Sequence, residues 1–162
     1  MRHGPAEDHA ESGLDADRPL SASGRERVRA VARCLVDSVE APWSIITSPL
    51  VRAVQTAEIV ALVTDLGARN GTVEVRRGIA PGGDAIRLVH QLAADHRKRA
   101  MVVGHEPDLS ALVDSLLGGF GQSFDKAMVV GLHVPAEGKH PRLRFILEPK
   151  TLRLDPDSRA DD

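Results

Sequence analysis

The sequence predicts an α/β protein, a three-layer sandwich in which helices cover both faces of a mostly parallel central sheet. Short runs of Val, Ile, Ala and Met, such as 43–47 and 100–103, have the length and composition of buried strands. Longer amphipathic segments separate these runs, an alternation typical of βαβ units. The 162 residues suffice for one domain with a sizeable core.

The first half of the chain predicts a loop, a helix, a strand and a second helix. Residues 5–20 are polar and irregular, which indicates a loop. Apolar residues then recur every three or four positions from Val28 to Val39, which predicts an amphipathic helix over about 22–39. The run 43–47 follows as a strand. Pro49 stands at the first helical position of a helix extending to about residue 66.

The second half predicts two more βα pairs and then two strands. Alternation over 73–76 indicates a strand, and Asp84 is placed to cap a helix that runs to about His96. A buried strand over 99–104 precedes a helix that opens at Pro107 or Asp108 and ends at Gly118. The last two predicted strands are 127–134 and 142–147. We expect one domain over 1–154 and a polar, disordered tail over 155–162.

Composition and charge exclude several functional classes. Trp43 and three Phe are the only large aromatic residues, so the stacking platforms of single-strand nucleic-acid binding are not expected. A net charge of −2 also argues against a polyanion-binding surface, although a local basic pocket is compatible with it. A single cysteine, Cys34, allows no intrachain disulfide and is expected to pack or lie at the surface. Neither a membrane span nor a signal peptide is evident, and we expect a cytoplasmic protein.

The side chains of four residues are predicted to meet at one edge of the sheet: Arg2, His3, Arg52 and His105. Thr47-Ser48 and Gly104-His105 follow two strands, and ligands of such sheets bind beyond the carboxyl ends of the strands. Arg52 lies in the first turn of the helix after Ser48, where the helix dipole adds to its positive charge. Arg2-His3-Gly4 would end another strand of the same sheet.

The types of these residues indicate phosphoryl chemistry. Arg2 and Arg52 offer planar, multidentate donors that suit the oxygens of a phosphoryl group. A neutral imidazole can attack phosphorus, and His3, between an Arg and a Gly that lets the backbone come close, is the better nucleophile candidate. His105 would donate a hydrogen bond to the group in transfer, so the developing charge would face two guanidiniums and an imidazole.

These motifs resemble the histidine phosphatase superfamily, also called phosphoglycerate-mutase-like, and within it the small SixA-type phosphohistidine phosphatases. The matching segments, in family order, are Arg2-His3-Gly4, Asp17-Arg18-Pro19-Leu20 with Gly24, TSPLVRAVQTA over 47–57, VGHEP over 103–107 and LEPKTL over 147–152. The resemblance implies His3 as the phosphorylated nucleophile, and Arg2, Arg52 and His105 as the phosphate pocket. It also implies that neither a metal nor another cofactor is needed.

Three further residues are candidates for substrate binding: Gly4, Arg18 and Glu106. Arg18 would shape the pocket, and a structural ion pair with Asp15 or Asp17 is the alternative for it. Glu106, Asp84 and Glu7 are the candidates for a general acid, with helix capping as the alternative for Asp84.

The chain is short for the superfamily. Larger members insert a helical lid that carries an acid between the second Arg and the second His, whereas about 50 residues separate Arg52 from His105 here. An imidazole leaves phosphohistidine with a pKa near ~6.5 and needs an acid less than an alkoxide does. The missing lid and acid therefore favour a protein-borne phosphohistidine as substrate.

The amino terminus departs from the family pattern. The Arg-His-Gly triplet of the family follows an apolar strand, but Met1 alone precedes it here. We expect either that the chain shown begins late, which we favour, or that a central strand is truncated, which would leave neighbouring strands unpaired.

The leading hypothesis is a metal-independent phosphatase that acts on phosphohistidine of a phosphotransfer protein through phospho-His3. A small-molecule phosphomonoesterase on the same site is one alternative. A catalytically weak module that binds phosphoproteins is the other.

Overall fold

The computed structural model describes residues 1–156, and its elements follow the predicted order. The helices are α1 (Ala22–Asp37), α2 (Val51–Val63), α3 (Ala85–Ala94) and α4 (Asp108–Leu117). The strands are β1 (Ser44–Thr47), β2 (Thr72–Val75), β3 (Ala100–Val103), β4 (Val129–His133), β5 (Arg142–Leu147) and β6 (Leu154–Pro156). Short 3-10 turns span Asp15–Asp17, Gly67–Arg69 and Arg77–Ile79.

The strands form two three-stranded sheets of different kinds. The first is parallel, as predicted, and its strand order is β2-β1-β3. Its register sets Thr47 opposite Val75 and Val103, so the carboxyl ends of all three strands lie level. The second sheet has the order β4-β5-β6 and is antiparallel, because the chain reverses direction between β4 and β5 and again between β5 and β6.

The first three residues connect the two sheets. Arg2 forms a parallel bridge with Gly104, which follows β3, and its N–H donates to the carbonyl of Met128 at 3.0 Å. The N–H of Ala127 donates to the carbonyl of His3 at 3.1 Å. The pairing beside the end of β3 is thus made by the Arg-His-Gly triplet itself, as a short bridge at Arg2. A cavity of about 570 Å³, lined in part by Met1, β3 and β4, adjoins it.

Helices cover both faces of the sheets, which confirms the three-layer arrangement. In β3, Met101 and Val103 join one apolar cluster, and Val102 packs against the other. This alternation is what a strand buried on both faces requires. The first cluster includes residues of α1 and α2, and the second includes residues of α3 and α4.

The helix ends agree with the predicted caps and differ from some predicted bounds. The Asp84 carboxylate accepts the N–H of Arg87 at 2.9 Å, and α4 ends at Gly118 with φ of 73°. Helix α1 ends two residues before Val39, because Val39 takes a left-handed conformation with φ of 59°. Helix α2 covers Val51–Val63 instead of 49–66.

The carboxyl-terminal segment departs from the prediction of a disordered tail from 155 onward. Asp155 and Pro156 belong to β6 and pair with Ile146 and Phe145 of β5. Residues 157–162, and the disorder predicted for them, lie outside the described residues. None of the helices within 1–156 is long and apolar enough to cross a membrane.

Cys34 is half-buried and packs against the first apolar cluster, and its thiol donates to the carbonyl of Leu152 at 3.4 Å. This is the packing role that the sequence predicts for it.

Candidate active site

The predicted histidines lie side by side at the carboxyl end of the parallel sheet. The N–H of His3 donates to the carbonyl of Gly104 at 3.1 Å, which fixes His3 beside the end of β3. The imidazole centroids of His3 and His105 are 5.0 Å apart. Residues that are a hundred positions apart in the chain therefore share one small, buried site.

The backbone fixes the tautomer of His3. Its Nδ1 lies 2.7 Å from the carbonyl oxygen of Gly4. A carbonyl only accepts hydrogen bonds, so Nδ1 carries the proton and Nε2 holds the free lone pair. Burial lowers the pKa of His3 to about 3, and the charges at Arg52 and Arg2 add to this effect. The ring is consequently neutral at neutral pH, as a nucleophile must be.

His105 is held by a serine at the end of the neighbouring strand. Its Nε2 lies 2.8 Å from the hydroxyl oxygen of Ser48, and its Nδ1 is one of the buried side-chain nitrogens in residues 1–156 without a partner. Burial lowers the pKa of His105 to about 4, and the positive charge at Arg52 adds to it. A buried nitrogen without a partner is costly, which is typical of a site that a ligand completes.

Arg52 points from the first turn of α2 into the site. The residue is 7% exposed, and its Nη1 donates to the backbone carbonyl of Asp15 at 2.8 Å. Its Nη2 forms an ion pair with the Asp15 carboxylate at 3.0 Å. Asp15 also binds Arg18 at 2.8 Å, so one carboxylate joins both guanidiniums. The hydrogen bonds from Arg18 and Arg52 hold the pKa of Asp15 below its usual value.

Arg2 reaches the same site from its other side. Its Nη1 donates to the carbonyl of Phe124 at 2.7 Å. Its Nε is buried without a hydrogen-bond partner among the described residues. The positive charge at Arg2 contributes to the lowered pKa of both His3 and His105. The structure thus brings together all four residues predicted for the phosphate pocket.

The other predicted binding residues occupy different positions. The ion pair between Arg18 and Asp15, given as an alternative by the sequence, is present, and Arg18 reaches Arg52 only through Asp15. The N–H of Gly4 donates to Thr56 Oγ1 at 3.1 Å, and a Cβ at Gly4 would lie 2.6 Å from Val28. What the structure shows for Gly4 is therefore close packing, and a part in substrate binding stays a prediction.

The three candidate acids have other contacts in the described residues. The Glu106 carboxylate accepts a hydrogen bond from Ser110 at 2.6 Å, while its second oxygen is buried without a partner. Asp84 caps α3, which is the alternative that the sequence offered for it. Glu7 is exposed, and its backbone carbonyl accepts a hydrogen bond from Arg18 at 2.7 Å. A general acid thus remains an untested prediction for each.

Sequence reasoning assigned no role in this site to Asp15, Ser48 or Thr56, although it placed Ser48 at this edge of the sheet. Ser48 had a detectable signal, because it directly follows a strand whose carboxyl end faces the site. Thr56 bonds both Gly4 and the carbonyl of Arg52, the latter at 2.7 Å. Its position four residues after Arg52 is the only hint that the sequence offers. Within residues 1–156, no group of three or more His, Cys, Asp or Glu side chains is arranged to hold a metal ion.

A site with two neutral imidazoles and two guanidiniums, at the carboxyl edge of a parallel sheet, defines an oxyanion-binding α/β protein. Comparison of the sequence with known proteins gives a family that fits this site. Residues 1–80 match the family model of the histidine phosphatase superfamily (branch 1). A protein of Picosynechococcus is 36% identical over 140 residues, covering 82% of this chain and 81% of its own length.

Solved structures show which proteins share this fold. The protein histidine phosphatase SixA, solved with tungstate, superposes with a TM-score of 0.84 at 25% identity, covering 94% of this chain and 97% of its own. A SixA candidate from Agrobacterium tumefaciens gives 0.76 at 21%, covering 92% and 95%. The chain belongs to the histidine phosphatase superfamily and is a phosphatase whose fold is similar to that of the SixA structures.

Proposed function

We propose that this phosphatase removes the phosphoryl group from a phosphohistidine on a protein, by way of a phosphorylated His3. The observation that carries this proposal is the bond from His3 Nδ1 to the carbonyl of Gly4 at 2.7 Å. It holds the free lone pair on Nε2 in a ring that burial keeps neutral. The nucleophile is therefore ready without a base to activate it.

The reaction proceeds in two displacements at phosphorus. In the first, the substrate ring takes up a proton from solvent at its other nitrogen, Nε2 of His3 forms a bond to phosphorus, and the bond from phosphorus to the substrate ring breaks, so that neutral imidazole leaves. In the second, water attacks phospho-His3, the bond to Nε2 breaks, and inorganic phosphate departs. Splitting the reaction in this way replaces one difficult step by two easier ones.

Arg2, Arg52 and His105 serve both displacements. Charge spreads over the phosphoryl oxygens in each transition state, and preformed donors stabilise it without rearranging. Arg2 Nε and His105 Nδ1 are buried and unpaired among the described residues, so an oxyanion can supply their partners. An anion that accepts hydrogen bonds from both nitrogens removes the free-energy cost of keeping them buried without partners, which favours its binding further.

The substrate class follows from what surrounds the site. Between Arg52 and His105 the chain forms α2, β2, α3 and β3, with short 3-10 turns, and no additional helical lid. The Asp84 carboxylate caps α3 and one oxygen of the Glu106 carboxylate accepts a hydrogen bond from Ser110, so neither residue is free of other contacts. Imidazole is a good leaving group, and the lack of an added lid between Arg52 and His105 favours a protein-borne phosphohistidine. The named activity of the SixA relative supports the same substrate.

The test uses a ³²P-phosphohistidine protein and the purified chain. We expect acid-labile label on wild-type protein after rapid quenching, none on His3→Ala, and release of phosphate several orders of magnitude slower in that variant. His9→Ala is the matched control, because His9 is exposed on the loop after the nucleophile, and we expect it to keep wild-type turnover.

Three results would contradict the proposal. Retained activity in His3→Ala would rule out the nucleophile. Comparable turnover of a sugar phosphate would favour the phosphomonoesterase. Binding of the phosphoprotein without label on wild type would favour the binding module.

A further inference from the structure

The phosphate-binding guanidinium of Arg52 already has an anionic partner. Both of its terminal nitrogens bond Asp15, Nη1 to the backbone carbonyl at 2.8 Å and Nη2 to the carboxylate at 3.0 Å. These two nitrogens form the edge of the guanidinium that bidentate oxyanion binding uses. A carboxylate and a phosphoryl group are acceptors of the same kind, so they compete for that edge.

The burial of the two partners is unequal. The side chain of Arg52 is 9% exposed and fixed by α2, whereas the side chain of Asp15 is 63% exposed. Asp15 begins a short 3-10 turn, Asp15–Asp17, in which no residue is buried. Arg52 therefore stays in place when an oxyanion binds, and Asp15 is the partner that is free to leave.

Arg18 strengthens the hold of Asp15 on the site. Its Nη1 pairs with the other oxygen of the same carboxylate at 2.8 Å, while its Nε donates to the carbonyl of Glu7 at 2.7 Å. An entering phosphoryl group thus breaks the contact to Arg52 and also strains the contact to Arg18. The displaced carboxylate then stands beside a group of the same charge, which disfavours binding further.

We propose that Asp15 is a specificity-determining residue that competes with the phosphoryl group for Arg52. It weakens the binding of free phosphate and of small phosphate esters, whose affinity rests almost wholly on the phosphoryl group. A protein substrate makes additional contacts outside the pocket, and these offset the displacement of Asp15. The selectivity part rests on the proposed function, whereas the competition itself concerns oxyanion binding alone.

Asp15→Asn is the decisive variant, because it removes the charge and keeps the shape. Asp17→Asn is its matched control: it removes the same charge from the same turn, but Asp17 bonds Ser12 and does not contact Arg52. Calorimetric titration with inorganic phosphate and with tungstate measures oxyanion affinity without turnover. Steady-state kinetics with p-nitrophenyl phosphate and with a phosphohistidine protein measures selectivity.

For Asp15→Asn we expect phosphate and tungstate to bind roughly 1.5- to 5-fold more tightly, the range for losing one exposed ion pair. KM for p-nitrophenyl phosphate should fall by a similar factor while kcat does not fall, and KM for the phosphohistidine protein should change less. Asp17→Asn should behave as wild type in all four measurements.

Weaker oxyanion binding with a lower kcat would show that Asp15 orients Arg52, and would overturn the proposal. Unchanged affinity, or an equal gain in Asp17→Asn, would overturn it as well. If wild type fails to hydrolyse phosphohistidine, the proposed function fails, yet the two titrations still decide whether Asp15 competes.

Discussion

The two buried histidines make the protein sensitive to acid, and His105 allows this effect to be isolated. Its pKa is lowered from 6.5 to about 4 by burial, with the charge at Arg52 adding to it. The unfolded chain thus binds a proton near pH 6.5 that the folded protein refuses until about pH 4. Stability is therefore complete above pH 6.5 and is lost as the pH falls towards 4.

The magnitude follows from the two pKa values. Between pH 7 and pH 5, the difference in proton binding at this one ring removes about 2 kcal/mol from the free energy of unfolding, at about 1.4 kcal/mol per pKa unit. A group that does not titrate, such as the amide in His105→Gln, removes this contribution. The variant should lose about 2 kcal/mol less than wild type over the same interval, although it is less stable at pH 7.

Urea unfolding at pH 7 and pH 5 provides the measurement, with circular dichroism and the fluorescence of Trp43, the single tryptophan, as probes. Comparing wild type with the variant at each pH cancels the groups that titrate equally in both proteins. Equal losses in the two proteins would show that His105 accepts a proton readily in the folded state. The neutral state that burial is argued to impose on His105 would then be refuted.

Two further changes test the packing and the positioning of the site. In Gly24→Ala the new Cβ would lie 1.9 Å from the carbonyl oxygen of Pro5, so we expect the free energy of unfolding in urea to fall by about 2 kcal/mol. Gly67→Ala is the control, because a Cβ there would have no atom within 4 Å, and its stability should equal that of wild type. In Ser48→Ala the Nε2 of His105 loses its partner at 2.8 Å, and we expect kcat/KM to fall about tenfold. Ser44→Ala, at the other end of β1, is the control and should keep the wild-type kcat/KM. An equal fall in Ser44→Ala would show that the loss comes from disturbing strand β1 and not from the lost hydrogen bond.

Local patterns carried the prediction of most elements. The spacing of apolar residues in α1 and the unbroken apolar run of β3 are set by burial, which acts within one element and is visible in the sequence. Strand β6 was missed because it has only three residues, and its structure comes from pairing with β5. The antiparallel half of the fold likewise depends on strand pairing, which no single segment encodes.

The candidate site divides in the same way. Arg52 and His105 were predicted because they follow predicted strands, whose carboxyl ends converge in any parallel sheet, whereas His3 was predicted from the Arg-His-Gly motif. Asp15 was not connected with Arg52, because they are 37 positions apart and meet only when the loop before α1 folds over α2. Contacts of this kind depend on the path of a loop, for which composition offers no signal.

Thr56 determines how the site behaves when the protein fluctuates. Its hydroxyl donates to the carbonyl of Arg52 at 2.7 Å and accepts the N–H of Gly4 at 3.1 Å. One oxygen atom therefore couples the turn that carries the nucleophile to the helix that carries the anion-binding cation. Thermal motion of α2 therefore moves the backbone of Gly4 and of Arg52 together, so the distance between the nucleophile and the guanidinium is maintained.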